Sequence, residues 1–240
     1  KKFYQLNWFN LDNPKNHWTE IPGSNSKVNI LESEIYLKGQ KDIDAYNQLL
    51  FDELANEKVM LIVDNYNFDY SILINYLNEG YVTRDDWKSN PKELLEEMNK
   101  TSKDDVKNIK WIFEPQLSDD NYAYYSYEVL WDDGDRTMET TILSFGRKGY
   151  HEVKFLKKIE ENFDAREFEE LAKAFAEAII FDEGYRYADY KSGDKTAAVG
   201  IGGLVAGTLG VKALAKAGGL AKLLGFAAKF WWIILAPLIF

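Results

Sequence analysis

Short β-branched and aromatic runs alternate with Asn-, Asp- and Gly-bearing turns along the first 190 residues, and helical spacing interrupts them three times. Residues 28–31 and 35–37 read as short strands, 59–63 as a buried apolar strand, and 70–77 as its return after the turn at Asp64-Asn65-Tyr66-Asn67. A meander follows: 111–113, Tyr122–Trp131, 137–145 and 150–156, with turns at Asp132-Asp133-Gly134-Asp135 and Gly146-Arg147-Lys148-Gly149. Alternation in the second of these puts Tyr125, Tyr127, Val129 and Trp131 on one face.

The helical stretches have their own punctuation. From Asp42, the residues Ile43, Tyr46, Leu50 and Leu54 form one stripe. Asn90-Pro91-Lys92-Glu93 combines a capping Asn, Pro at the first helical position and a Glu three residues on, and Leu94, Leu95 and Met98 supply the inner face. Asp164-Ala165-Arg166-Glu167 opens a further helix whose stripe is Phe168, Leu171, Ala172, Phe175 and Ile179, with Gly184 as its stop. Residues 1–26 read as irregular extended chain. The pattern predicts an α+β fold, a largely antiparallel sheet covered by helices.

The last 45 residues change character. Ala197 to Val211 carries no charge, and Phe230-Trp231-Trp232-Ile233-Ile234-Leu235-Ala236-Pro237-Leu238-Ile239-Phe240 is more apolar still. A transmembrane helix needs about 20 apolar residues. The stretch is open to three readings: a hairpin buried in the domain, one amphipathic segment lying in the interface, or a C-terminal transmembrane helical hairpin with lysines between two spans, which is the one expected. Residues 1–190 then form an acidic exported domain, 191–196 a junction, and 197–240 the membrane segment. Gly200, Gly203, Gly207 and Gly210 are candidate helix-packing positions, against the second span or against another chain, because small residues let helix backbones approach in lipid.

Charge sharpens this picture. Residues 196–240 hold four lysines and no acid, so the formal net charge of -10 becomes -14 on residues 1–195 once those four are set aside. Such a domain repels phosphate backbones, and no nucleic-acid partner is expected. Lys212, Lys216 and Lys222 belong on the cytoplasmic side by the positive-inside rule, which places the acidic domain outside, in the periplasm, and calls for an export signal preceding Lys1. The absence of cysteine excludes disulfides and thiol chemistry and does not discriminate between compartments.

Candidate chemistry is sparse. His17 and His151 stand in no metal-ligand spacing and read as structural or merely surface residues. The acid clusters Asp85-Asp86, Asp119-Asp120, Asp132-Asp133 with Asp135, and Asp182-Glu183 fall at turns and helix ends, where Asp serves the backbone. Tyrosines 122–127 fit cross-strand packing better than a groove. No catalytic residue, cofactor or metal is assigned.

Gly80-Tyr81-Val82 with Asp85-Asp86, then Leu143-Ser144-Phe145-Gly146-Arg147-Lys148-Gly149, and above all Gly184-Tyr185-Arg186-Tyr187-Ala188-Asp189-Tyr190 and Asp194-Lys195-Thr196-Ala197-Ala198 give a resemblance to a known family. The chain is similar, from about residue 6 to its end, to membrane-anchored bacterial proteins carrying domain of unknown function 2167. That resemblance implies a signal peptide, an exported domain and C-terminal membrane helices. A fainter likeness links the order of strands and capped helix to the α/β/α sandwich of PsbP-like and Mog1-like proteins. The expectation is a non-enzymatic accessory or interaction subunit of a bacterial inner-membrane complex, its partners being the lipid bilayer and other membrane subunits. The alternatives are a membrane-surface hydrolase using acid pairs and a ligand- or ion-sensing module.

Overall fold

The strand runs pair into a seven-stranded sheet because nearly every one of them alternates between two faces that are both covered. The computed structural model describes residues 6–209, apart from 52–58, 66–69, 86, 88, 89, 103, 120 and 160–162. The elements in chain order are β1 (His17–Ile21), β2 (Ser26–Ile30), β3 (Glu34–Lys38), α1 (Gln40–Phe51), β4 (Leu61–Asn65), β5 (Ser71–Leu77), α2 (Pro91–Thr101) and β6 (Val106–Leu117). After these come β7 (Tyr122–Trp131), β8 (Arg136–Phe145), β9 (Tyr150–Lys158), α3 (Ala165–Glu177), β10 (Ile179–Phe181), a 3₁₀ turn (Tyr187–Asp189) and α4 (Ile201–Thr208).

The main sheet has the order β3-β4-β5-β9-β8-β7-β6, and all its pairings are antiparallel. A second sheet, β1-β2-β10, is also antiparallel. One face of the main sheet presents Ile72, Ile74, Met138, Ile142, Val153 and Phe155 to α3 and the small sheet. The opposite face holds two apolar patches. Leu37, Ile62 and Leu73 meet Ile43 and Tyr46 of α1. Ala123, Tyr125, Tyr127 and Val129 meet Leu94 and Met98 of α2 and the buried side of α4.

The caps form as their residues predict. Asn90 Oδ1 accepts from the Glu93 amide with Pro91 opening α2, and Asp164 Oδ1 accepts from the Arg166 amide at 2.8 Å. Four expectations change. Residues 17–21 are not irregular: Thr19 and Ile21 point inward and Trp18 and Glu20 outward, giving the edge strand β1. Residues 111–113 are part of the much longer β6. α3 ends at Glu177, so Ile179 begins β10 instead of closing the helical stripe, and Gly184 (φ +83°) serves the turn after β10. The fourth concerns the C-terminal segment. Ile201, Leu204, Val205 and Leu209 are buried against the α2 side of the sheet, which at about 1.5–3 kcal/mol per side chain is about 6–12 kcal/mol of gross transfer free energy.

Folded structure therefore continues past the expected junction to Leu209. Among the described residues no helix is long and apolar enough to cross a membrane. Leu54 and residues 210–240 lie outside the described residues.

Candidate functional site

The end of the sheet where β8 turns into β9 is clasped by the chain running from β10 to α4, and the residues of the family resemblance form the clasp. Arg147 donates from Nε and Nη2 to both Asp194 oxygens at 2.7 and 2.8 Å, and from Nη1 to the Gly184 carbonyl at 3.1 Å. That guanidinium, helped by the Lys191 amide, draws the Asp194 carboxyl down to about 2. Asp189 Oδ2 accepts from the Gly184 and Arg186 amides. Tyr81 lies between Tyr187 and Tyr190, with ring centroids 4.4 and 4.3 Å away, and the Tyr187 hydroxyl donates to the Val82 carbonyl at 2.6 Å. The Tyr81 amide donates to Lys195 O and the Ala197 amide to Tyr81 O, each at 2.8 Å, forming a parallel bridge between Tyr81 and Thr196. Gly80 (φ +106°) is required here, since a Cβ would stand 2.6 Å from Lys195 O.

Beside the clasp opens a cleft of about 510 Å³. Its walls are the start of β7 (Asn121, Tyr122) and the end of β8 (Ser144, Phe145) on one side, and the end of α3 and β10 on the other. Glu177 and Arg186 stand at its margin, both exposed, and neither has an ion-pair partner among the described residues. Asn121 is fixed by Arg84, whose Nη2 donates to Asn121 Oδ1 at 2.9 Å. The cleft thus joins a mixed polar and apolar lining to two exposed charges of opposite sign.

A second constellation is sealed within the sheet face covered by the helices. Lys154 Nζ lies 3.3 Å from Glu139 Oε1 and 3.6 Å from Glu152 Oε1, and all three side chains are at most 8% exposed. Thr141 Oγ1 donates to Glu139 Oε1 at 3.2 Å. Burial raises the Glu152 carboxyl above its ordinary value, against the pull of Lys154, and raises the Tyr125 and Tyr127 phenols as well. Tyr125 donates to Thr208 Oγ1 at 2.7 Å, which ties α4 to the same polar belt. Glu139, Glu152 and Lys154 escape a reading of the sequence because a charged residue at every second strand position reads as an outward face. The register that pairs Thr141 with Lys154 and Leu143 with Glu152 supplies the missing signal.

His151 is wholly buried, between Tyr76 and Phe181. Its Nδ1 faces Asn75 O at 3.2 Å and its Nε2 the Ser26 hydroxyl at 2.7 Å, so it stitches the main sheet to the small one. Burial lowers its pKa to about 4. Ser26 is itself buried and continues to Ser24 at 2.6 Å, so the Ser–His contact is an internal tie rather than an open nucleophile. His17 is near the surface, with Nδ1 against Lys15 O and Nε2 against Tyr36 Oη.

The acid clusters stay apart. Asp133 Oδ1 accepts from the Asp135 amide within its turn, Asp182 and Glu183 flank the turn after β10, and Asp86 and Asp120 lie outside the described residues. Among the described residues no group of three or more His, Asp or Glu side chains could hold a metal ion. Gly200 caps α4 and is buried, Gly207 is buried, and Gly203 is partly exposed. Gly210, Lys212, Lys216 and Lys222 lie outside the described residues.

No curated protein matches the chain. Among solved structures it is similar to the solution structure of cyanobacterial PsbP (CyanoP) from Synechocystis sp. PCC 6803, with 12% identity, a TM-score of 0.47, and coverage of 70% of this chain and 94% of that one. Residues 13–239 match the family described as "Protein of unknown function (DUF2167)", and the chain belongs to that family.

Proposed function

We propose that this protein is a membrane-anchored, non-enzymatic accessory subunit of a bacterial inner-membrane complex, with its acidic domain in the periplasm and the apolar C-terminal part of the chain holding it at the bilayer. One observation carries the reading: the domain's last described helix, α4, is built into its core and leads directly into the apolar, lysine-bearing, acid-free remainder of the chain. Presentation of a folded surface from a membrane is what such an arrangement does best. The internal charges support the reading, since Glu139, Lys154 and Glu152 satisfy one another in a sealed sheet face instead of converging on an open pocket. Exposed Trp18 and Ile180 on the outer side of the small sheet offer contact area.

Single cysteines test the topology cleanly because the chain has none of its own. Asp133→Cys should react with a membrane-impermeant maleimide added outside spheroplasts, and Trp231→Cys, in the most apolar run of the chain, only after detergent lysis. Equal protection of both sites would remove the exported-domain reading. Native purification in mild detergent should bring down further membrane subunits in fixed proportion, and a protein that always purifies alone would remove the subunit reading.

A further inference from the structure

β10 is an edge strand with one side used and one side free. It closes the order β1-β2-β10. The Asn29 amide donates to Ala178 O at 3.2 Å and the Asp182 amide to Asn25 O at 2.9 Å, so positions 178, 180 and 182 turn their backbone groups toward β2. Strand alternation then turns the N–H and C=O groups of Ile179 and Phe181 the other way. Both residues line the cleft, and among the described residues no backbone group pairs with them there. Free edges of this kind are templates for another strand, and β10, at three residues, offers a template only about 10 Å long.

The charges at the margin give the template a direction. Glu177 precedes β10 by two residues. Arg186 lies past its far end, bridged to Gly146, the same glycine whose Cβ position is filled by the Phe181 ring. We propose that the cleft takes an extended peptide segment of a partner protein, added antiparallel to β10, with an acidic residue at its N-terminal end facing Arg186 and a basic residue at its C-terminal end facing Glu177. Antiparallel addition matches the rest of the fold and gives the more stable pairing. Ile179 and Phe181 supply two donors and two acceptors, Ser144 and Asn121 add polar contacts from the opposite wall, and Phe145 and Tyr122 receive the side chains that point down. The proposal deepens the interaction-subunit reading and rests on it for a partner, although the cleft can be tested alone.

The probe is acetyl-Glu-Val-Thr-Val-Lys-amide, titrated into the isotopically labelled full chain in detergent micelles. Saturation should slow amide hydrogen exchange of Ile179 and Phe181 about tenfold or more while leaving Ile180, already bonded to β2, unchanged. The double variant Glu177→Lys with Arg186→Glu changes only exposed side chains. It should weaken binding about tenfold and prefer the reversed peptide acetyl-Lys-Val-Thr-Val-Glu-amide. An analogue N-methylated at both valines should not bind. The proposal is overturned by no binding up to millimolar peptide, by binding without protection of Ile179 and Phe181, or by equal binding of the N-methylated analogue. If the peptide fails while the double variant still co-purifies with its membrane subunits, this inference falls and the subunit reading stands.

Discussion

Replacing Lys154 by Met should be the most damaging single change to a charged residue in the domain. The ammonium is the shared cation of Glu139 and Glu152, at 3.3 and 3.6 Å, with all three side chains nearly excluded from solvent. At an effective dielectric of about 20, each contact is worth about 5 kcal/mol of attraction, and desolvation offsets most of it. What removal of Lys154 exposes is the uncompensated remainder, two carboxylates side by side with no cation. Breaking a buried pair from one side costs about 3–5 kcal/mol, against a total stability of about 5–15 kcal/mol for a domain. At about 1–3 kcal/mol per molar urea, the midpoint should fall by about 1–5 M.

The pH dependence identifies the cause. Burial already holds Glu152 above its ordinary pKa, and loss of Lys154 pushes it further up. A carboxyl with a raised folded pKa stabilises the fold below its unfolded value and loses that contribution as pH rises through the folded value. The deficit of the variant should therefore be largest near pH 8 and shrink toward pH 5. Urea unfolding followed by tryptophan fluorescence reads it directly, because Trp111 packs edge-on against Tyr125 and Tyr127. The triple variant Lys154→Met, Glu139→Gln, Glu152→Gln should recover to within about 2 kcal/mol of the parent. A deficit below about 1 kcal/mol at pH 8, or one equal at pH 5 and pH 8, would refute the reasoning.

Three further outcomes follow from the same physics. Asp64 is buried with Oδ1 unbonded, and burial lifts its pKa to about 6 against the lowering pull of its Ser71 and Tyr46 hydrogen bonds, so Asp64→Asn should stabilise the fold by about 1–3 kcal/mol at pH 8 and by little at pH 4, as chemical denaturation at the two pH values will show. His151 contributes with the opposite sign: its depressed pKa of about 4 makes stability fall by about 3 kcal/mol between pH 6.5 and 4, and His151→Asn should flatten that limb of the stability–pH curve while costing about 2 kcal/mol at pH 8 through loss of the tie to Ser26. Gly80→Ala forces a Cβ onto the Lys195 carbonyl from a positive φ, and should cost at least about 2 kcal/mol and raise amide exchange at Tyr81 and Ala197, the two ends of the clasp.

The sequence discloses those parts of the fold whose signals are local. β4, β5, β7, β8 and β9 are β-branched or aromatic runs bounded by turns, and α2 and α3 carry their own caps. β1 hides because its five residues follow a stretch rich in Asn and Pro, and only pairing with β2 brings Thr19 and Ile21 inside. β10 hides because Ile179 extends a helical stripe and is claimed by β2 instead. α4 misleads for another reason: a uniformly apolar, glycine-rich helix suits lipid and protein interior equally, and composition cannot tell one from the other. The junction residues are conspicuous in the sequence, but their clasp depends on Arg147 and Tyr81, far away along the chain. The cleft is less legible still, since Asn121, Ser144, Glu177 and Arg186 meet only through the register of β7 with β8 and the turn after β10.

Burial of α4 also has a mechanical meaning. A domain joined to its neighbour through a slack linker can swivel and feels no load until the linker is taut. Here no spare residues separate the core from position 210, because Leu209 is itself buried and Thr208 is bonded to Tyr125. Tension arriving from the C-terminal side is delivered straight into the hydrophobic interior, and the eight-residue α4 is the fuse. Its release would bare Val129 and Tyr125 before the antiparallel ladder bears strain. In a single-molecule pulling experiment the first rupture should be small, early and C-terminal, and a cross-link between α4 and β7 should abolish it.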